Sequence, residues 1–149
     1  MEILYQINSI NDLIKPLPDN DVLIRWLKMP DDFECFCEHL RERYPDRDFS
    51  VDDCLKWDEA GIIYCGLFKD GRMAARAAVE KYSEDKWETA DVRVWQTERN
   101  KGYARQICYF VTKYILENNK TATCRTEEDN IAMQHVINAL GFKFANHIQ

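Results

Sequence analysis

The sequence predicts a mixed α/β fold: an antiparallel meander joined to a parallel β-α-β crossover, with about six to seven strands and four helices. Three observations predict it. Residues 61–95 form three apolar runs separated by short turn signals, the pattern of consecutive hairpins. The last third alternates helical with strand periodicity, as a crossover does. A length of 149 residues, 46% of them hydrophobic and 12% aromatic, supplies a core for one domain spanning 1–149 and argues against general disorder.

Asp21 to Leu27 (DVLIRWL) reads as a strand, with room for a short strand or a turn of helix before it. Pro30 sits where a helix can begin, and Asp31 and Asp32 would suit its first turn. Phe33, Phe36, Cys37 and Leu40 then fall on one helical face that stops before Pro45. Ser50 with Asp53 resembles a capping box opening a short helix through Trp57. Gly61 to Phe68 and Arg72 to Tyr82 flank the turn Asp70-Gly71, and Lys86 to Trp95 follows the loop Ser83-Glu84-Asp85. Gly102 to Leu116 is an amphipathic helix, Thr121 to Thr126 a strand, and Asn130 to Leu140 a second helix stopped by Gly141. Phe142 to Ile148 leaves room for one short strand.

Charge narrows the function. The net charge of -6 argues against a protein whose task is neutralising nucleic-acid phosphates, so no nucleic-acid partner is expected. The apolar runs are too short for a membrane-spanning helix, which needs about 18 residues, and the first residues show no basic-then-apolar signal pattern; no membrane partner and a cytoplasmic location are expected. Acidity is uneven: residues 1–60 hold 7 basic and 15 acidic side chains, residues 61–149 hold 13 and 11. Such asymmetry can mark two binding surfaces of opposite sign, or only solvated acidic helices. The six cysteines lie mostly among apolar neighbours and read as reduced thiols. Cys35-Phe36-Cys37 lacks a second ligand pair at zinc spacing, so no metal is expected.

The stretch from Val92 to Arg105 carries the chemistry. A strand ends, a polar loop turns, and a helix opens at Gly102. The first N–H groups of a helix have no intrahelical partner and sit at the positive end of its dipole, which makes an anion site. Gly102 lets the backbone approach an oxyanion, Ala104 keeps the approach open, and Arg99, Lys101 and Arg105 add positive charge. A phosphate or pyrophosphate is the ligand this arrangement suits. An ordinary helix start with exposed basic residues is the alternative.

Arg99-x-x-Gly102-x-Ala104, following Val92-Arg93-Val94, resembles the acyl-CoA pyrophosphate loop of the GNAT superfamily of N-acetyltransferases. The helix from Asn130 to Leu140-Gly141-Phe142 is similar to that family's asparagine-initiated helix ending in Gly-Phe, with Met133 where the family has a small residue. The resemblance spans roughly Gly61 to Phe142. It implies a GNAT-like fold, with the meander splayed from the crossover, and acetyl-CoA as cosubstrate. It also implies that the backbone of Val92, Arg93 and Val94 meets the pantetheine arm, and Asn130 contacts that arm from the other side. The N–H groups of Lys101, Gly102, Tyr103, Ala104 and Arg105 would take the pyrophosphate, with Arg99 and Asn100 in the same cofactor-binding loop.

Acetyl transfer to an amine needs a base, because an ammonium has no lone pair. Alternation along Trp87 to Trp95 places Glu88 with Ala90, Val92 and Val94, a carboxylate on an otherwise apolar face, where burial would raise its pKa. Its place also resembles that of a catalytic glutamate in some family members. A solvated strand-end glutamate is the alternative reading, and Asp91, on the opposite face, is the second choice of base. Many members carry a tyrosine seven residues after the motif asparagine; here that residue is Ile137. Cys124 with His135 as nucleophile and base is disfavoured, since the first should pack in a strand and the second face solvent.

One short strand after Gly141, where the family adds two, leaves the acceptor side open, completed by the N-terminal segment, or completed by another subunit of a homodimer. The reading that results is an acetyl-CoA-dependent N-acetyltransferase acting on a primary amine of a small cationic molecule or a lysine-bearing peptide, drawn by the acidic segment from Pro30 to Trp57. A non-catalytic acyl-CoA-binding or regulatory module is the alternative.

Overall fold

The computed structural model describes residues 1–148 and builds them into one mixed sheet with helices on both faces. The elements in chain order are β1 (Glu2–Ile7), β2 (Leu23–Trp26), α1 (Phe33–Arg43), α2 (Val51–Glu59), β3 (Ile62–Lys69), β4 (Arg72–Glu80), β5 (Lys86–Val94), α3 (Tyr103–Glu117), β6 (Thr121–Glu127), α4 (Ile131–Ala139) and β7 (Lys143–Ile148). Gln149 lies outside the described residues. Among the described residues the sheet has seven strands in the order β2-β3-β4-β5-β6-β1-β7. Strands β3 to β5 form the expected antiparallel meander, β2 adds antiparallel to β3 at its edge, and α3 carries the chain over to β6, parallel to β5.

Strand β4 shows why the layers sit where they do. Every residue from Met73 to Val79 is buried, as in a strand covered on both faces. Its alanines, Ala74, Ala75, Ala77 and Ala78, are small enough to admit helices closely from either side. On one face α3 lays down Ile107, Cys108, Val111 and Ile115, none with measurable exposure, against Ala75, Ala77, Val79, Ala122 and Cys124. Each large aliphatic side chain so buried contributes about 1.5–3 kcal/mol. On the other face Phe36, Leu40 and Cys54 of α1 and α2 cover Met73.

Both local signals of the first helices are legible, with one adjustment. The capping box at Ser50 and Asp53 forms as expected, each side chain accepting the other's backbone N–H. Helix α1 starts at Phe33 rather than at Pro30. Asp32 is occupied elsewhere: its carboxylate takes both Arg25 guanidinium ends at 2.7 and 2.8 Å and the Lys28 N–H at 2.7 Å.

The far side of the sheet takes its inner strand from the start of the chain. Residues 2–7 form β1, which inserts between β6 and β7 and pairs antiparallel with both, while Ile10–Asp12 add a turn of 3-10 helix. The N-terminal segment thus fills the vacant place, with Ile3, Tyr5 and Ile7 facing the α3 core. From there the chain returns to β2 as a strap, held by the Ile14 N–H on the Leu140 carbonyl at 2.9 Å. All six cysteines are free, five of them buried. No helix of the described residues is long and apolar enough to cross a membrane.

Candidate functional site

The parallel pairing of β5 with β6 lasts only from Lys86 opposite Thr121 to Glu88 opposite Thr123. Beyond that point β5 continues against β4 and β6 against β1, so the two strands part. Near the gap lies a cavity of about 1200 Å³, lined by Val92 to Val94, Glu98 to Gln106, Asn130, Ala132, Met133 and Val136, with Pro16 to Asp21 of the strap closing one side. Ten of the sequence-predicted donor-site residues, from Val92 to Arg105, and Asn130 therefore border a single space.

Strand β5 is not regular. Asp91 has φ 47°, and the register shifts so that Asp91 and Val92 together oppose Ala77. Residues directly opposite one another share a face, so Glu88, Ala90 and Arg93 lie with their partners Glu80, Ala78 and Arg76. Asp91 joins them through its ion pair to Arg76. Val92 and Val94 pack instead against the α3 core. Simple alternation placed Glu88 with the two valines and Asp91 opposite; the bulge corrects both. Glu88 shares its face with charged groups.

The bulge also decides which backbone groups look into the gap. The Trp95 N–H donates to the Ala74 carbonyl at 2.8 Å, so in the antiparallel ladder Arg93 turns its N–H and C=O toward β4. Those of Val92 and Val94 face away, along the edge that β6 has left. The Val94 carbonyl receives a long contact, 3.4 Å, from Arg99 Nε.

Helix α3 opens at Gly102, whose φ of 81° turns the chain into its first residue. It has no side-chain cap and no acidic residue in its first turn. The first helical bond recorded is from the Gln106 N–H to the Gly102 carbonyl, leaving the N–H groups of Tyr103, Ala104 and Arg105 without helical acceptors. This arrangement can hold an anion. Of the three cations expected here, Lys101 pairs with Glu98 at 2.7 Å and Arg99 leans toward Glu42 at 3.6 Å. Arg105 makes no ion pair among the described residues. Asn130 caps α4, its Oδ1 accepting the Met133 N–H at 3.1 Å.

Glu88 sits where β5 and β6 separate, 7% exposed, and accepts Arg125 Nε at 2.9 Å. Burial pushes its carboxyl above the usual range; the Arg125 cation opposes that, while Glu80 and Glu2 add to it. It does not line the cavity but stands on the other face of the sheet. Ile137, at the position of the expected tyrosine, has no measurable exposure and belongs to the core. Cys124 is buried beside Cys108 with its thiol pushed well up, and His135 is exposed, so the structure does not make a nucleophile of the pair.

Sequence reasoning passed over a buried polar group on the same face. Arg76, His39, Asp91 and Tyr64 are linked by short bonds beneath α1, and Glu42 of α1 accepts the Gln96 N–H at 3.1 Å. The available signal was Arg76 itself, a charge inside the run Met73 to Val79, where an arginine is found only if paired.

Comparisons with known proteins bear on the family and the fold. The family model described as Acetyltransferase (GNAT) family matches residues 24–142. A putative GNAT-family acetyltransferase from Novosphingobium aromaticivorans superposes with a TM-score of 0.71 at 17% identity, over 97% of this chain and 59% of that one. A Trypanosoma brucei acetyltransferase gives a TM-score of 0.70 at 18% identity, over 87% and 96%. AAC(6')-Iy, solved with a bisubstrate analogue, CoA-S-monomethyl-acetylneamine, gives 0.71 at 15% identity, over 86% and 95%. The chain spans 59%, 53% and 47% of the first three solved structures it matches. No curated protein sequence matches it. At these identities the likeness to solved structures is one of fold.

Proposed function

Because the chain belongs to the GNAT family of acetyltransferases, whose family model matches residues 24–142, we propose that it transfers an acetyl group from acetyl-CoA to a primary amine by direct attack in a ternary complex. The observation that carries this reading is the parting of β5 from β6 at Glu88, beside the uncapped start of α3. The pyrophosphate of acetyl-CoA would lie on the N–H groups from Lys101 to Arg105. Its pantetheine arm would run along the free edge of Val92 and Val94, with Arg93 between them and Asn130 on the other side. The thioester would then reach the point where the strands separate, and the amine would come from the face that bears Glu88.

Glu88 takes the role of base. The amine nitrogen bonds to the thioester carbon, the carbon–sulfur bond breaks to release the CoA thiolate, and the amine's proton passes to Glu88, directly or through water. Partial burial supports this role by holding the carboxylate more basic than in water. The acceptor we favour is a small cationic amine or a lysine-bearing peptide. Asp32, Glu38 and Glu42 of the N-terminal helical region pair with Arg25, Arg72 and Arg99, while Glu2 and Glu80 add negative charge around Glu88, itself paired with Arg125. Activity with cationic amines should weaken as salt screens these charges.

The test is CoA release from acetyl-CoA across an amine panel. Glu88→Gln should still bind acetyl-CoA while turnover near neutral pH falls about 10²–10⁴-fold. Wild-type activity should drop as pH falls through the raised Glu88 pKa. Arg125→Gln removes the cation that lowers this pKa, so it should move that acid limb to higher pH. Unchanged turnover in Glu88→Gln removes Glu88 as base.

A second reading has its own support. Ile137 replaces the expected phenol with a core side chain, and Arg125 holds Glu88 in an ion pair. A non-catalytic acyl-CoA-binding module would bind acetyl-CoA yet release no CoA above background with any amine.

A further inference from the structure

Arg76 is a guanidinium with no solvent exposure, set in the middle of β4 among alanines. A buried charge persists only if its hydrogen-bonding groups are met. Here Nε and Nη2 donate to the Asp91 carboxylate at 3.0 and 3.3 Å. Nη1 lies 3.0 Å from His39 Nδ1 and donates to the His39 carbonyl at 3.3 Å. Tyr64 completes the group, its hydroxyl donating to Asp91 at 2.8 Å. One side chain of β4 thus ties α1 to the residue at which β5 bulges.

That residue needs tying. Asp91 lies in the left-handed region, which side chains other than glycine disfavour and aspartate tolerates better than most. If β5 gave up the extra residue, everything after it would change face. Arg93 would turn toward the α3 core, Val92 and Val94 toward α1, and the backbone groups of Arg93 would replace those of the valines along the gap. The ion pair opposes this slip by keeping the Asp91 carboxylate on the α1 face.

We propose that Arg76 is a positioning residue for the donor, acting through the Asp91 bulge to keep the Val92 and Val94 backbone edges turned toward the pantetheine arm. The proposal rests on reading the gap as the acetyl-CoA site. It has a selective consequence. Acetyl-CoA would touch both the bulged strand and the start of α3, whereas adenosine 3'-phosphate 5'-diphosphate, which carries the pyrophosphate without the pantetheine arm, would touch only the latter.

The experiment compares calorimetric binding of these two ligands to wild type, Arg76→Lys, Asp91→Gly and Tyr64→Phe. Each protein is held below the unfolding midpoint found by circular dichroism. Glycine at 91 accepts the backbone angle but removes the carboxylate, and Tyr64→Phe leaves the ion pair in place. Arg76→Lys and Asp91→Gly should each weaken acetyl-CoA by about tenfold, with Tyr64→Phe affected less, while the nucleotide binds all four within about twofold. Should Arg76→Lys fail to fold, Asp91→Gly carries the same test. Equal acetyl-CoA affinity in folded variants, or parallel loss of both ligands, overturns the positioning role. A wild type that binds the nucleotide but not acetyl-CoA, or neither, overturns the reading of the gap and this role with it.

Discussion

A histidine that cannot take a proton without cost gives the sheet a measurable acid sensitivity. His39 is 1% exposed, and burial, reinforced by the adjacent Arg76 charge, pushes its pKa down to about 4. Its Nδ1 lies 3.0 Å from Arg76 Nη1, so a proton added there would set two cations against each other in place of that bond. A group whose folded pKa lies below its unfolded value stabilises the fold above the unfolded value and loses that contribution as pH falls through the folded one. For His39 the window runs from about 6.5 down to about 4, and the full loss is on the order of 3 kcal/mol. Glu88, with a raised folded pKa, acts in the opposite sense and softens the fall. Urea unfolding at pH 7, 5.5 and 4.5 should show stability dropping in wild type and a flatter response in His39→Gln. Arg76 signalled in the sequence that it must be paired, but not that His39 is a partner. His39 sits beside the apolar stripe of its helix, and only a tertiary contact 37 positions apart brings it to Arg76.

Elements were legible where the signal is local. The capping box at Ser50 and Asp53 and the glycine opening α3 are short-range chemistry, and both stand where the sequence put them. The bulge was not legible. Val92-Arg93-Val94-Trp95 reads as plain alternation, and the left-handed turn at Asp91 becomes necessary only once Arg76 is known to lie beneath it. Two glycines separate donor binding from folding. An added Cβ at Gly102 meets nothing within 4 Å, so Gly102→Ala pays only for its positive φ, about 1–2 kcal/mol, and places a methyl group where the anion would sit. At Gly141 the Cβ would clash with the Asp12 carbonyl in the strap. Gly102→Ala should lose acetyl-CoA affinity with a modest drop in melting temperature. Gly141→Ala should melt at a distinctly lower temperature. Calorimetric titration and thermal melts read the two effects independently.

Across the molecule, the unexpected feature is the seat of β1. The sequence left room for one strand after Gly141, where the family it resembles adds two, and offered the N-terminal segment as one of the ways to complete the acceptor side. It could not choose, because strand pairing between the first and last segments is a non-local contact that alternation does not specify. Ile3, Tyr5 and Ile7 are 8%, 7% and 2% exposed, and each contributes about 1.5–3 kcal/mol by burial. Their sum is comparable to the entire stability of a typical domain, about 5–15 kcal/mol. Removing residues 1–8 should therefore abolish cooperative unfolding and cause association through the bared β6 edge, which thermal melts and gel filtration would show; a monomer with a cooperative melt would refute it. The same seat governs when a nascent chain becomes competent. Strand β1 pairs with segments synthesised well after it, Glu2 opposite Glu127 and, on its other side, Glu2 opposite Ile148. Until then the strap over the cavity has no fixed anchor at Leu140. A ribosome-bound chain that stops short of Leu140 therefore leaves the strap side of the cavity without its anchor.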